Sequence, residues 1–466
     1  MTGEVAARAS KKGIWGWMFF DFAQQPFHTL IITFVFAPYF ASKVAANPAQ
    51  GQEYWGYAAG IGGAIIALTS PVLGAIADAT GPRKPWIFLF SIVGFVGCWM
   101  LWYALPGAGS LFIPMLGIVL ALVGMEYAAV FNNAMMPTLV PRSELGRLSG
   151  SAWGLGYIGG LISLVIVLGF LSANPETGKT LFGLSPLFGL DPATYEGDRA
   201  SGPLTSLWYL IFVLPMFLWT PDVARRAGDV GSAVRRGLSE LGETLRSLPS
   251  QKSYFSFLIS SMFYRDALNA LYSFGGIYAA GVLGWPIIKI GIFGILANLT
   301  GAIGAWLGGR ADQRFGPKPV IVFSIVMLIL CCLVIISTTP TQVLFMTVAE
   351  PGATSNLPDI VFYLAGALIG AAGGSIQAAS RTLLVDQVEA DKVTEAFGLY
   401  ALSGRATSFI APFAIAFATA WFASEAFGFS TQDAQRLGVT PIILLFAIGW
   451  ALLPWVNSRD YKPAAA

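Results

Sequence analysis

Charge is scarce in this chain. Lys, Arg, Asp and Glu together make up 11% of its 466 residues, less than half the roughly 25% of soluble domains. Hydrophobic residues fill 55% of it, which excludes a soluble globular protein. The net charge of +2 says little, because the charges are segregated rather than mixed, and no nucleic-acid partner is expected. Histidine occurs once, as His28, and cysteine three times. Cys98, Cys331 and Cys332 all fall in apolar runs and read as small hydrophobes, so no disulfide framework is implied. A single histidine and cysteines without ligand spacing leave no metal site, and no cofactor is expected. A Ser-His-Asp set and a nucleophile elbow are both missing, so the chain does not read as an enzyme. The stretch Ala173–Thr180, "ANPETGKT", fits a loose nucleotide-loop pattern. A phosphate-binding loop, however, follows a strand and opens a helix, whereas this stretch leaves an apolar run.

Apolar sequence is abundant. Several runs exceed the ~18 residues that read as a spanning helix. The expected fold is all-α, a polytopic membrane protein with twelve transmembrane helices in two pseudo-symmetric six-helix bundles. The expected helices are 14–41, 54–77, 85–105, 111–136, 146–172, 204–221, 254–282, 286–309, 318–337, 359–385, 394–423 and 438–457. The first run is no signal peptide: it exceeds the roughly 7–15 residues of an h-region, carries Asp21 and lacks a cleavage site. Of the 27 lysines and arginines, nineteen fall in segments on the same side as the N-terminus. Only Lys43, Lys179, Arg199 and Arg436 fall in the opposite loops, which places both termini in the cytoplasm.

Three domains follow: residues 1–221, a cytoplasmic linker 222–252, and residues 253–466. Within the linker, "VRRGLSELGETLRSL" sets Leu238, Leu241, Leu245 and Leu248 at steps of three and four. That spacing predicts an amphipathic helix with one apolar stripe, lying on the membrane surface or against helix ends. A solvated linker that is only partly helical is the alternative.

The two halves repeat. The second expected helix ends in "GAIADATGPRKP" (Gly74–Pro85) and the eighth in "GGRADQRFGPKP" (Gly308–Pro319). Each gives a glycine, an aspartate four residues on, then Gly-Pro, a basic residue and proline. Asp21 and Gln24 in the first helix answer to Asp266 and Asn269 in the seventh, and Gly150 answers to Gly398. Internal repeats of this kind build many secondary transporters, with the substrate site near the midplane. Intramembrane charge has its own period. The third, sixth, ninth and twelfth helices hold no Asp, Glu, Lys, Arg or His inside their ends. The first, fourth, seventh and tenth hold Asp21 and His28, Glu126, Arg265 and Asp266, and Arg381. A three-helix unit used four times, one member lining a shared cavity, accounts for that period.

These features resemble the major facilitator superfamily. More narrowly, Asp21-Phe22-Ala23 with Thr33-Phe34-Val35-Phe36-Ala37-Pro38-Tyr39-Phe40 resembles the opening of the fungal vacuolar effluxer-like family and its bacterial relatives. "GRLSGSAWGLGYIGG" (Gly146–Gly160) and "FGLYALSGR" (Phe397–Arg405) resemble its fifth and eleventh helices. The resemblance implies a transporter of a bacterial inner membrane, and fungal members are linked to amino-acid export from the vacuole. It also implies that Asp78 and Asp312, with the basic residues Arg83 and Arg314, form gates. A carboxylate after the second or eighth helix would meet the amide end of a helix in the other half, where the macrodipole favours negative charge. Asp78 is expected near Thr394, and Asp312 near the start of the fifth helix.

The candidate substrate and proton residues lie inside helices. At 100° per residue, Asp21, Gln24, Gln25 and His28 fall within an arc of about 100°. Pro26 frees the carbonyl around Phe22 and can kink the helix. Asp266, Asn269 and Ser273 share a face, with Arg265 beside it; Glu126 and Asn133 are aligned, as are Gln377 and Arg381. The three acids and the bases Arg265, Arg381 and Arg405 could simply pair with one another. Alternatively, a base binds an anionic substrate group while an acid takes up a proton. The expected activity is secondary active transport, by alternating access, of a small polar or zwitterionic metabolite, amino-acid-like or peptide-like. Protons are the expected coupling ion, and the chain is expected to act as a monomer in the lipid bilayer. A sodium-coupled or uncoupled exchanger, or a transporter-like ligand receptor, remains open at this point.

Overall fold

A computed structural model of the chain describes residues 8–44, 48–107, 111–224, 230–285, 287–349, 355–406, 410–422, 424 and 430–458. Its first helix, α1 (Lys11–Pro26), starts at Ser10, whose hydroxyl accepts the Gly13 amide at 3.1 Å. Proline at position 26 donates no amide, so the Phe22 carbonyl loses its helical partner. The indole of Trp208 takes that carbonyl at 3.0 Å. Beyond Pro26 the segment runs on as a π-helix over Phe27–Phe34, where the Val35 amide reaches the Leu30 carbonyl at 3.1 Å. The expected kink is therefore realised as a change of helical pitch. Apolar helix continues to Val44, three residues beyond the expected end.

The remaining main helices are α2 (Pro48–Thr80), α3 (Lys84–Met100), α4 (Phe112–Met135), α5 (Leu145–Ile166), α6 (Ser201–Trp219) and α7 (Val230–Ser247), then α8 (Lys252–Gly281), α9 (Ile287–Phe315) and α10 (Pro317–Ile336). The chain continues through α11 (Leu357–Gln387), α12 (Val393–Ala406), α13 (Ile410–Phe422) and α14 (Thr440–Leu452). Among the described residues, nine helical stretches are long and apolar enough to cross a membrane. The other expected spans coincide with α8, with α12 and α13, and with α14. Among the described residues, strand is confined to two short hairpins. One of them is the nucleotide-loop look-alike: Ala173 pairs with Thr180 and Asn174 with Lys179, around a turn closed by Gly178. No helix opens there for a phosphate to use.

The chain divides into two compact units. The first comprises Met1–Arg142, Leu155–Gly242 and Ala390–Leu402; the second comprises Ser143–Gly154, Glu243–Glu389 and Ser403–Ala466. Each packs through small residues, as helices do where no water drives them together. In the first unit a side chain on Gly97 or Gly124 would fall on the facing backbone of α4 or α3. In the second, Gly304 and Gly370 bring α9 and α11 together in the same way.

In the linker helix α7 the leucine stripe is divided. Leu241 is buried, but Leu238 and Leu245 are 44% and 47% exposed. Its inner face is instead Gly237, Leu241 and Thr244. Gly237 decides this orientation: a Cβ there would stand 2.7 Å from the Ala75 carbonyl oxygen, so only a glycine lets α7 rest on the end of α2.

Candidate functional site

In the first unit, Asp21 and Gln24 are buried, while Gln25, His28, Glu126 and Asn133 are half-buried. The polar arc of α1 is shared between two neighbours. Gln24 donates its amide to the Met125 carbonyl at 2.8 Å, one residue before Glu126 on α4. The opposite edge rests on α5: Gly156 abuts the backbone and Cβ of Asp21, and Gly160 abuts Gln25 and Thr29. The arc is thus divided between α4 and α5 and is not one uniform wall. Beside it, the Trp17 indole donates to the Asn132 carbonyl at 2.7 Å.

In the second unit the expected face of α8 separates. Asp266 is buried and its carboxylate accepts the Ala411 amide of α13 at 3.0 Å. Asn269 is exposed, and its carbonyl takes the Ser273 hydroxyl at 2.9 Å within the same helix. The Arg265 guanidinium lies against Gly404 of α12, so Arg265 and Asp266 both address the segment around 404–411. Arg381 is buried, with its guanidinium over the Trp153 ring at 4.8 Å. A cation on an indole face is held by the ring quadrupole. Ser149 bonds the Ala378 carbonyl at 2.8 Å, and Tyr264 meets the Ser380 hydroxyl at 2.8 Å, so α5 and α8 fix the α11 segment that carries Arg381. Gln377 donates at 3.2 Å to the Gly373 carbonyl of its own helix. The side chain of Arg405 lies outside the described residues. The first unit thus offers carboxylates and amides, and the second adds guanidinium groups and an indole to a carboxylate of its own.

The two repeated turns are the most fully defined part of the site. Both use a left-handed glycine, Gly81 at φ 106° and Gly316 at φ 87°, to leave the preceding helix. At the first, Asp78 accepts from the Thr394 hydroxyl at 2.6 Å and the Glu395 amide at 2.8 Å, at the start of α12. Arg83 is buried beside it; its guanidinium bonds Asp78 and the Gly81 carbonyl and donates to the Thr394 hydroxyl at 3.1 Å. At the second turn Asp312 is buried against Gly146 at the start of α5. Arg314 is exposed and lies over the Phe315 ring at 5.3 Å.

Sequence reading missed the residues that anchor these turns. Asp222 caps α3 by accepting the amides of Arg83 and Lys84, each at 2.9 Å. Lys84 donates to the Phe217 carbonyl at the end of α6, and Lys318 donates to the Val456 carbonyl after α14, both at 2.8 Å. Each cation thus meets the carbonyl-rich end of a helix or of the turn that follows it, where positive charge is favoured. The repeated Lys-Pro pair in "GPRKP" and "GPKP" is the signal that could have found them.

Comparison with known proteins defines the class. FucP, solved in the outward conformation, matches with a TM-score of 0.63 and 16% identity over 95% of this chain and 97% of its own. A bacterial homologue of the iron transporter ferroportin matches with a TM-score of 0.63 and 14% identity, over 95% and 98%. The fold is that of a major facilitator superfamily transporter. The family described as "Vacuole effluxer Atg22 like" matches residues 50–465, and the chain belongs to it. The MFS-type transporter YxiO of Bacillus subtilis (strain 168) is 25% identical over 448 residues, 94% of each chain. Autophagy-related protein 22 of Coccidioides immitis (strain RS) is 21% identical over 279 residues, 57% of this chain and 42% of that protein. The chain is therefore an integral membrane transporter of a small molecule and not an enzyme.

Proposed function

We propose that the protein is a proton-coupled secondary active transporter that moves a small polar or zwitterionic metabolite by alternating access. The observation that carries this reading is the pair of buried carboxylates, Asp21 at 7% and Asp266 at 5% exposure, in helices of a membrane protein. At the bilayer centre an aspartate is disfavoured by roughly 2.5–3.5 kcal/mol on insertion scales, so such residues mark ion and substrate paths. Arg265 and Arg381 supply the complement for an anionic substrate group, and an amino-acid-like or peptide-like solute uses both signs. Glu126, Gln24, Gln25, His28, Asn133, Asn269, Gln377 and Arg405 complete the proposed substrate and proton path. In this reading residues 1–221 and 253–466 are the two moving bundles, joined by 222–252. Asp78 with Arg83, and Asp312 with Arg314, act as gates on the cytoplasmic side, where both termini lie. The protein works as a monomer in a bacterial inner membrane.

The test is uptake by reconstituted protein of candidate amino acids and peptides under imposed proton or sodium gradients. Asp21→Asn is expected to keep the fold and abolish proton-driven accumulation while exchange remains measurable. Accumulation by Asp21→Asn at the parent rate from about pH 5 to 8, the window in which a histidine titrates, would falsify the proton role. Accumulation driven by sodium alone would replace the coupling ion.

A further inference from the structure

We propose that α7 carries a binding site for the headgroup of an anionic phospholipid, built from Arg235, Arg236 and Ser239. These three residues, with Gly231, line an open groove of about 520 Å³ along the helix. Both arginines are exposed, and among the described residues neither makes an ion pair. A phosphodiester accepts paired N–H donors from a guanidinium better than from any other side chain, and a hydroxyl adds a third donor. The groove alone would fit any small phosphate; the apolar edge beside it selects a lipid.

Down the helix axis, at 100° per residue, Leu238 and Leu245 lie within about 20° of each other, and Arg235 lies about 60–80° further round. Glu240 and Glu243 lie about 150° away from the leucine pair, so no carboxylate borders the leucines, and Arg236 lies on that far side about one turn before Glu240. Leu238 and Leu245 have no cover, at 44% and 47% exposure, because Gly237 and Leu241 are the residues turned inward. Exposed leucines flanked by Arg235, with Arg236 and the acids further round, are the arrangement of a helix lying in a headgroup layer. The inner face links the site to the first gate: Gly237 rests on Ala75, less than one turn before Asp78. A bound headgroup therefore holds α7 against the helix end that carries the buried Asp78–Arg83 pair.

The full chain in detergent is titrated with dioleoylphosphatidylglycerol, with dioleoylphosphatidylcholine and with inorganic phosphate, and the unfolding midpoint is read. Phosphatidylglycerol is expected to raise the midpoint, more at low salt than at high salt; phosphatidylcholine and phosphate are expected to leave it unchanged. Arg235→Gln/Arg236→Gln is expected to weaken the apparent affinity for phosphatidylglycerol by roughly tenfold, as loss of charge-assisted bonds predicts. Leu238→Ser/Leu245→Ser is expected to weaken it as well, and Arg235→Lys/Arg236→Lys to retain most of it. A double glutamine variant that answers phosphatidylglycerol like the parent overturns the site. So does a shift produced by phosphate alone, which would make the groove a free-anion site. Native mass spectrometry of the parent protein stands apart from variant folding: equal retention of the two lipids also overturns the proposal.

Discussion

Asp78 and Asp312 each stand four residues after a glycine, in turns of nearly the same lettering, yet they meet different neighbours. Asp78 faces a threonine hydroxyl, two amides and the buried Arg83. Asp312 is buried against Gly146, and Arg314 beside it is exposed. What the repeat has kept is steric. Gly398, four residues after Thr394, abuts the Ser70 carbonyl of α2, and Gly150, four residues after Gly146, abuts Gly309 of α9. What differs is the arginine: Arg83 is buried, and Arg314 is exposed. Close helix approach constrains both copies alike.

The largest break in this comparison comes from the arginines. Arg83→Met leaves the buried Asp78 carboxylate without its cation and is expected to destabilise by about 3–5 kcal/mol. Arg314→Met, at an exposed position, is expected to stay within about 0.5 kcal/mol of the parent. Unfolding midpoints in detergent measure both, and similar losses would mean that the two turns are electrostatically equivalent after all. Thr394→Val comes next, because it removes a hydroxyl bonded to a charged acceptor. It is expected to cost about 1.5–3 kcal/mol, and a neutral result would assign the hold on Asp78 to the amides alone. The smallest effect sharpens the likeness. Lys84→Met and Lys318→Met each remove a cation from a helix end and are expected to cost about 0.3–1 kcal/mol. Losses that differ by more than about 1 kcal/mol would show that the matching geometry is not matched in energy.

The helices were legible because apolar runs and repeated glycines are imposed by packing and appear directly in the lettering. Pro26 also told truly: the freed Phe22 carbonyl is there, although its partner, Trp208, lies 186 residues away and carries no local signal. The polar site was legible only as a set of residue types. Helical spacing gathers Asp266, Asn269 and Ser273 on paper, but Asp266 turns to Ala411 while Ser273 bonds within its own helix. Spacing likewise gathers four leucines on α7, where the missing side chain of Gly237 outranks two of them in choosing the inner face. Asp222 escaped notice because a cap supplied from 139 residues away leaves no mark beside the helix it caps.

The π-helical passage from Phe27 to Phe34 makes chain length itself a structural variable. A π turn uses more residues than an α turn. Closing the passage into ordinary α-helix without removing a residue would over-wind it, and everything after it would turn relative to Asp21. Tyr39, whose hydroxyl now reaches the Ala104 carbonyl at 2.5 Å, would point elsewhere. The first segment therefore works like a gear with a set number of teeth: side chains can be exchanged along it, but its pitch and its residue count can change only together.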